Sequence, residues 1–373
     1  MTMSRSTPVD GVLLISASGG HGGPIQSALT VARTIGGTDR VAIGPWSSEY
    51  KNMMREIADV VVTIPRPRGL KLLLAQLLTA WHACVHRRRY AVIHANSLVE
   101  LIVAIPASVV TRRPIVAWVH NYECPRSAST ARRIVRAMRR RIHWAAVSEL
   151  ARDVVVDNGL AARDEVELIP NPIDPTTVKA EPHEPSTTGE VRIGYLGTDR
   201  RYKGFDLLPD CVSALGNGTA RWLLFSAPFA TDHASWQRLV ELDAAHVECR
   251  GRLMDVRSAY GECDIVFIPS RQESFCRVAA EAMVNGIPVV ASDLSPLREL
   301  LGDDDAGILF PVADTGAATR ALRALIEDSE LRRRLGAAGQ ERALRYLPSG
   351  IADQMEQLYR TAKERRSTRE RLT

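Results

Sequence analysis

Glu273 and Glu281 stand eight residues apart in "ESFCRVAAEAMVNGIPVVASD", a stretch that is otherwise mostly apolar. The apolar period predicts a helix from about Phe275 to Gly286, a suitable residue just past a helix end. Glu273 then lies in the loop before that helix. The amides of Ser274, Phe275, Cys276, Arg277 and Val278 point outward from its first turn, where they can meet an anion. Glu281 falls on the helix, on the side of Arg277 and Val278. At 1.5 Å per residue the two carboxylates are separated by up to roughly 12 Å, too far to share one proton or one metal ion. They are suited to different groups of one long ligand. The simpler readings are an acid favourable to the helix dipole for Glu273 and a surface helix residue for Glu281.

A second stretch, "IGYLGTDRRYKGFDLL", supplies cations after a strand that ends near Gly197. Lys203, and one of Arg200 and Arg201, would point from the strand's carboxyl end toward a diphosphate, the arginine bidentately and the lysine as a point charge. A solvated basic turn is the alternative. A third, "SGGHGGPIQSALTVART", places Gly20, Gly22 and Gly23 before a helix opened by Pro24, so that backbone can approach a phosphate closely. Purely steric glycine turns look the same. Taken together, two carboxylates, a cation site and a helix terminus fit a nucleotide-sugar: sugar hydroxyls at one end, ribose hydroxyls at the other, diphosphate between.

Elements that would position these groups follow a regular rhythm. Short β-branched runs alternate with longer stretches of helical period. "GVLLISAS", "RVAIGP", "VVVTIP", "YAVIHANS", "PIVAWVH", "IHWAAVSE" and "VELIPNP" fill the first half; "VRIGYLGT", "ARWLLFSAP", "HVECRGRL", "CDIVFIPS", "IPVVASD" and "AGILFP" fill the second. Continuous apolar strands between helices imply parallel sheets covered on both faces. The 373-residue length also favours two domains. We expect doubly wound α/β domains at residues 1–172 and 191–345, a Pro- and Thr-rich linker at 173–190, and a C-terminal helix with a frayed tail at 346–373, the helix packing back on the first domain. Ligands of such sheets bind beyond the carboxyl ends of the strands, in a cleft where two domains face each other.

Composition narrows the function classes. An apolar fraction of 45% with 24% charged residues is ordinary globular usage. The six cysteines have no CxxC pair, which argues against a disulfide framework or structural zinc and fits a reduced cytosol. No run is long enough to span a membrane, and no signal peptide is evident. The net charge is +5, with arginine clusters at residues 87–89, 132–141 and 332–334. Nucleic acid is not an expected partner.

The E-x7-E spacing in "ESFCRVAAEAMVNGIPVVASD" resembles the signature of the retaining glycosyltransferases of family 4, which have the GT-B fold: two Rossmann-like domains facing across a cleft. "AAVSELARDVVVDNG", "YLGTDRRYKGFDLL", "DAGILFPVAD" and "GHGGPIQSALTVA" are similar to further family segments, so the likeness covers nearly the whole chain. It implies that Glu273 binds hydroxyls of the transferred sugar, Glu281 the ribose, the amides around Phe275, Cys276 and Arg277 the sugar and phosphate, and Lys203 the departing diphosphate. His120, in "VAWVHNYE", matches the family histidine near the anomeric carbon; a structural strand-end histidine is the alternative. Two departures stand out. Thr198 occupies the usual arginine position, and Cys276 that of a small residue, where packing is a simpler role for it than nucleophilic attack.

The implied activity is transfer of a hexose-type sugar, with retention, from a nucleoside-diphosphate-sugar to an acceptor. No cofactor and no metal are expected, because cationic side chains and helix amides can stabilise the leaving group. The aspartates at residues 303–305 read as a turn. A nucleotide-sugar 2-epimerase, or a binding protein without turnover, shares the architecture. The acceptor is not legible. Residues 70–90 and 129–144 combine apolar stripes with arginines, either as ordinary sheet-packing helices with a basic solvent face or as peripheral contacts to anionic lipid on the inner face of the membrane. Otherwise a cytoplasmic location is expected.

Overall fold

A computed structural model describes residues 11–16, 23–36, 40–67, 71–120, 129–178, 189–216, 218–225, 234–243, 246–251, 256–302 and 305–372. The chain divides into two units, one of residues 1–172 and 348–373, the other of residues 173–347.

In the first unit, strands and helices alternate: β1 Val12–Ile15, α1 Gly23–Ile35, β2 Arg40–Gly44, α2 Ser48–Arg55, β3 Val60–Thr63, α3 Lys71–Val85, β4 Val92–Ala95, α4 Leu98–Thr111, β5 Ile115–Val119, α5 Ser129–Met138, β6 Ile142–Ala146, α6 Glu149–Asp157 and β7 Val166–Leu168. All seven strands pair in parallel, in the order β3-β2-β1-β4-β5-β6-β7. Strand order reverses between β1 and β4, the position where a doubly wound sheet opens a crevice at its carboxyl edge. The central strands are apolar without alternation because helices cover both faces, and Trp118 and Trp144 fill the space beside them.

The second unit repeats the plan with β8 Val191–Leu196, α7 Leu208–Leu215, β9 Ala220–Phe225, α8 Ala234–Asp243, β10 Val247–Gly251, α9 Val256–Glu262, β11 Ile265–Ile268, α10 Arg277–Val284, β12 Val289–Ser292, α11 Ser295–Leu301, β13 Gly307–Phe310, α12 Thr315–Glu327 and α13 Ser329–Ala343. Its parallel order is β10-β9-β8-β11-β12-β13, with the reversal between β8 and β11. The loops after those two strands carry the cations and Glu273. Around Trp222, Phe267, Phe310 and Leu322 a single apolar core packs the sheet against α7 and α12.

Helix α14, Pro348–Leu372, closes the chain and belongs to the first unit, where it packs on α1. Ile351, Met355, Leu358 and Ala362 are its buried face, at i, i+4, i+7 and i+11. The helix runs through Leu372, where the charged sequence suggests fraying; on its polar side Arg360 and Glu356 pair at 2.8 Å. Part of the expected linker, residues 179–188, lies outside the described residues.

Two helices depart from the sheet-packing role expected of them. Helix α5 stops at Met138, a 3-10 turn follows, and Ile142 already opens β6, so the apolar residues of the stretch 129–144 do not form one helix face. Its arginines have local partners: Arg136 donates to the carbonyls of Asn158 (2.7 Å) and Gly159 (2.9 Å) just past α6. Helix α3 lies on α4 with its small residues inward. No helix among the described residues is long and apolar enough to cross a membrane.

Candidate functional site

Gly204 sets the geometry of the second unit's site. It has φ +74°, and a Cβ there would sit 1.9 Å from the Pro269 carbonyl oxygen, so only glycine lets the turn after β8 press against the end of β11. The 3-10 turn Arg201–Lys203 precedes it. Arg271 fastens the contact from the other side. Its guanidinium donates to both Asp206 oxygens (2.7 and 2.9 Å) and to the Arg201 carbonyl (2.8 Å), while its amide donates to Tyr202 (2.8 Å). A bidentate fork of this kind fixes orientation as well as distance.

Held by this staple, Lys203 Nζ lies 2.7 Å from Glu273 Oε1, and Ser270 Oγ donates to the same oxygen at 2.8 Å. Burial pulls the Lys203 pKa down, but the facing Glu273 carboxylate and the hydrogen bond between them more than reverse this and hold the ammonium above its ordinary range. Lys203 is therefore charged at neutral pH. The pair lines a shallow open depression walled by Tyr195, Gly197, Ile268 and Cys276. Tyr195 supports the wall by donating to the Thr198 carbonyl (2.6 Å).

Helix α10 begins at Arg277, two residues later than the sequence period suggests, because Cys276 takes a left-handed conformation (φ 74°, ψ 79°) as its N-cap. Non-glycine residues adopt that region rarely and at a cost of about 1–2 kcal/mol. Cys276 is buried, and burial, followed by the Glu273 charge, pushes its thiol well up, so it is a neutral packing residue rather than a nucleophile. Phe275 is buried, its ring edge-on against Tyr346 (5.4 Å). Ser274 precedes it in the same loop.

Glu281 is buried on α10. Oε1 accepts from Arg277 Nη2 (2.7 Å) and Oε2 from the Tyr260 hydroxyl (2.8 Å). Each oxygen keeps a second lone-pair direction for a hydroxyl donor. Arg277 Nε is a buried donor without a hydrogen-bond partner, a condition that costs about 1–3 kcal/mol unless a ligand satisfies it. Arg200 and Arg201 are both exposed on the turn, and Thr198 is exposed beside them. Arg271, Asp206 and Tyr260 were not among the candidates from sequence. Residues 65 and 21 positions apart carry no local signal of pairing.

In the first unit, His120 follows β5 and is buried. Asn96 Nδ2 donates to the Pro24 carbonyl (2.5 Å), which turns Oδ1 toward two imidazoles, His120 Nε2 at 3.2 Å and His94 Nε2 at 3.3 Å. An amide oxygen only accepts, so both Nε2 atoms carry the proton. His94 Nδ1 then accepts from the Tyr359 hydroxyl of α14 (2.8 Å). Complete burial lowers the His94 pKa to about 4, against a smaller opposing contribution from its hydrogen bond with Asn96. Gly23 is the first residue of α1; Gly20 and Gly22 lie outside the described residues. Among the described residues no three His, Cys, Asp or Glu side chains form a group suited to a metal ion, and Asp303 and Asp304 lie outside them.

Two family models match the chain: "Glycosyltransferase Family 4" over residues 40–177 and "Glycosyl transferases group 1" over residues 180–342. Among curated relatives, a phosphatidyl-myo-inositol mannosyltransferase of Mycobacterium leprae is 33% identical over 234 residues, 58% of each chain. A D-inositol 3-phosphate glycosyltransferase of Corynebacterium diphtheriae is 34% identical over 178 residues, 45% of this chain and 42% of that one. The chain thus spans 58% and 42% of the lengths of these two curated relatives. Among solved structures, Anabaena Alr3699/HepE in complex with UDP superposes with a TM-score of 0.78 at 23% identity, covering 93% of this chain and 98% of that one. The same protein with UDP-glucose gives 0.77 at 21%, covering 92% and 98%.

Proposed function

The chain belongs to glycosyltransferase family 4, with its GT-B fold, and we propose that it moves a hexose-type sugar, with retention, from a nucleoside-diphosphate-sugar to an acceptor. The observation that carries the proposal is the Lys203–Glu273 pair at 2.7 Å beside the depression at the β8/β11 switch point. In this reading the diphosphate lies on Lys203, on an arginine from the Arg200–Arg201 turn and on the first amides of α10. Glu273 accepts from hydroxyls of the sugar. Glu281 and Arg277 take the ribose.

As the bond from the anomeric carbon to the phosphate oxygen lengthens, negative charge grows on the diphosphate. Lys203 is already charged and held in place, so it stabilises that charge without reorganising. The acceptor oxygen then attacks on the face the leaving group vacates, and its hydroxyl proton passes to the departing diphosphate oxygen. These cationic groups supply the charge that a metal ion would otherwise bring, and neither metal nor cofactor has a part in the scheme. His120, oriented by Asn96, takes the place near the anomeric carbon that the family resemblance assigns to it. The relatives named for inositol-containing acceptors favour a polar, hydroxyl-bearing acceptor, met at the cytoplasmic face of a membrane.

The test is incubation with a panel of nucleotide-sugars. Diphosphate release that rises with added acceptor supports transfer. Isomer formation without acceptor would mean epimerisation, and binding without turnover a sugar-nucleotide-binding protein. Glu273→Ala should lower transfer at least ~100-fold, on the scale of losing charge-assisted bonds in a transition state, while nucleoside diphosphate still binds. Equal loss of both would remove Glu273 from its assigned role.

A further inference from the structure

Helix α3 carries its large apolar residues on the outside. The buried residues are Ala75, Thr79 and Ala83, four apart on the side toward α4. Pro106 within α4 has no N–H, so the Ile102 carbonyl loses its helical donor, and Gln76 of α3 donates to it instead (3.1 Å). That bond fixes which side of α3 faces in. On the opposite side Leu73 is 63% exposed, Leu77 60% and Trp81 60%, with Leu74 and Val85 also exposed. Leu74, Leu77, Trp81 and Val85 recur at i, i+3, i+7 and i+11, one continuous stripe. Single exposed leucines are ordinary; a stripe of this size on a helix whose small residues face inward marks an interaction surface.

The stretch of sequence that contains α3 and α4 carries charge of nearly one sign. Between Asp59 and Glu123 the sequence holds a single acidic residue, Glu100, and it is buried. Over the same stretch come Arg66, Arg68, Lys71, Arg87, Arg88, Arg89, Arg112 and Arg113. Arg113 donates to the Arg87 carbonyl (3.1 Å), which brings the ends of α3 and α4 together and sets Val109 and Val110, both exposed, near the arginines.

We propose that this face docks on an anionic lipid bilayer, with Leu73, Leu77 and Trp81 entering the boundary between headgroups and acyl chains and the arginines resting on lipid phosphates. A second copy of the chain fits less well. Pairing the stripe with itself would press two cationic rims together with no acid between them. The inference goes beyond the transfer reaction and does not depend on which sugar is moved.

The experiment uses the full chain and sedimentation with vesicles of phosphatidylcholine alone or mixed with phosphatidylglycerol, a readout independent of turnover. The expected result is binding to the anionic vesicles, weaker at higher salt, and about tenfold or more weaker in the double variant Leu77→Ser, Trp81→Ser. Arg88→Glu with Arg89→Glu should abolish the preference for anionic lipid. All four side chains are exposed, and an unchanged far-ultraviolet spectrum and melting temperature show that the fold persists. Equal partitioning to neutral and anionic vesicles, or wild-type binding by both variants, overturns the proposal. So does a concentration-dependent dimer that the apolar variant dissolves while vesicles are ignored.

Discussion

Asn96 holds two imidazoles through one oxygen, and the consequence reaches the pH dependence of folding. His94 is fully enclosed, with Tyr359 on one nitrogen and Asn96 on the other. Its pKa falls to about 4 from an ordinary 6.5, with burial as the main cause. The unfolded chain therefore binds a proton that the folded chain refuses between those values. Stability from this residue is complete above about pH 6.5 and is lost as pH falls toward 4, by about 3 kcal/mol in total. Melting temperatures of wild type and His94→Gln, followed from pH 7 to pH 4, should show a steeper acid loss in the wild type. Parallel curves would mean that His94 is protonated in the folded state. Nothing in "YAVIHANS" distinguishes this histidine from a ligand; its role emerges only when α14 brings Tyr359 onto it. His120, by contrast, was legible as a candidate because a family motif points to it.

At the scale of elements, the turn after β8 and the loop after β11 act as one part. Gly204 makes their contact feasible, and Arg271 with Asp206 locks it. Gly204→Ala places a methyl group against the Pro269 carbonyl and a side chain at φ +74°, so we expect a loss of at least about 2 kcal/mol. It should appear as a lower urea midpoint with an unchanged slope. A midpoint equal to wild type would show that the turn relaxes freely. All thirteen strands among the described residues were legible, most of them because a strand covered on both faces reads as an unbroken apolar run; the edge strands β7 and β10 carry polar residues and were read from the rhythm around them. Helix edges were less so. The α10 start was misplaced because Cys276 adopts a backbone conformation that its residue type does not announce. The outward stripe of α3 was visible as composition, but its direction was not. A leucine-rich helix reads the same whether its large side faces in or out, and the choice was made by Pro106 and Gln76.

Across the whole molecule, each half of the chain builds a parallel sheet whose strand order reverses once. In the second unit the loops at the reversal carry Lys203 and Glu273; in the first, Asn96 follows β4 at the reversal and holds His120, which follows the next strand, β5. The first unit takes its last helix from the far end of the chain; which residues α14 meets is not legible from its own sequence, since its partners lie more than two hundred residues earlier. The central claim is that the second unit's switch point holds a nucleoside diphosphate through Lys203. Calorimetric titration with nucleoside diphosphates and the matching monophosphates tests it on wild type, Lys203→Ala and Glu273→Ala. In the wild type, diphosphate should bind more tightly than monophosphate. Lys203→Ala should lose about 10- to 100-fold in diphosphate affinity, the value of one charge-assisted bond. Glu273→Ala should bind diphosphate as well as wild type or better, its like charge having been removed. Equal diphosphate affinity in wild type and Lys203→Ala would contradict the account.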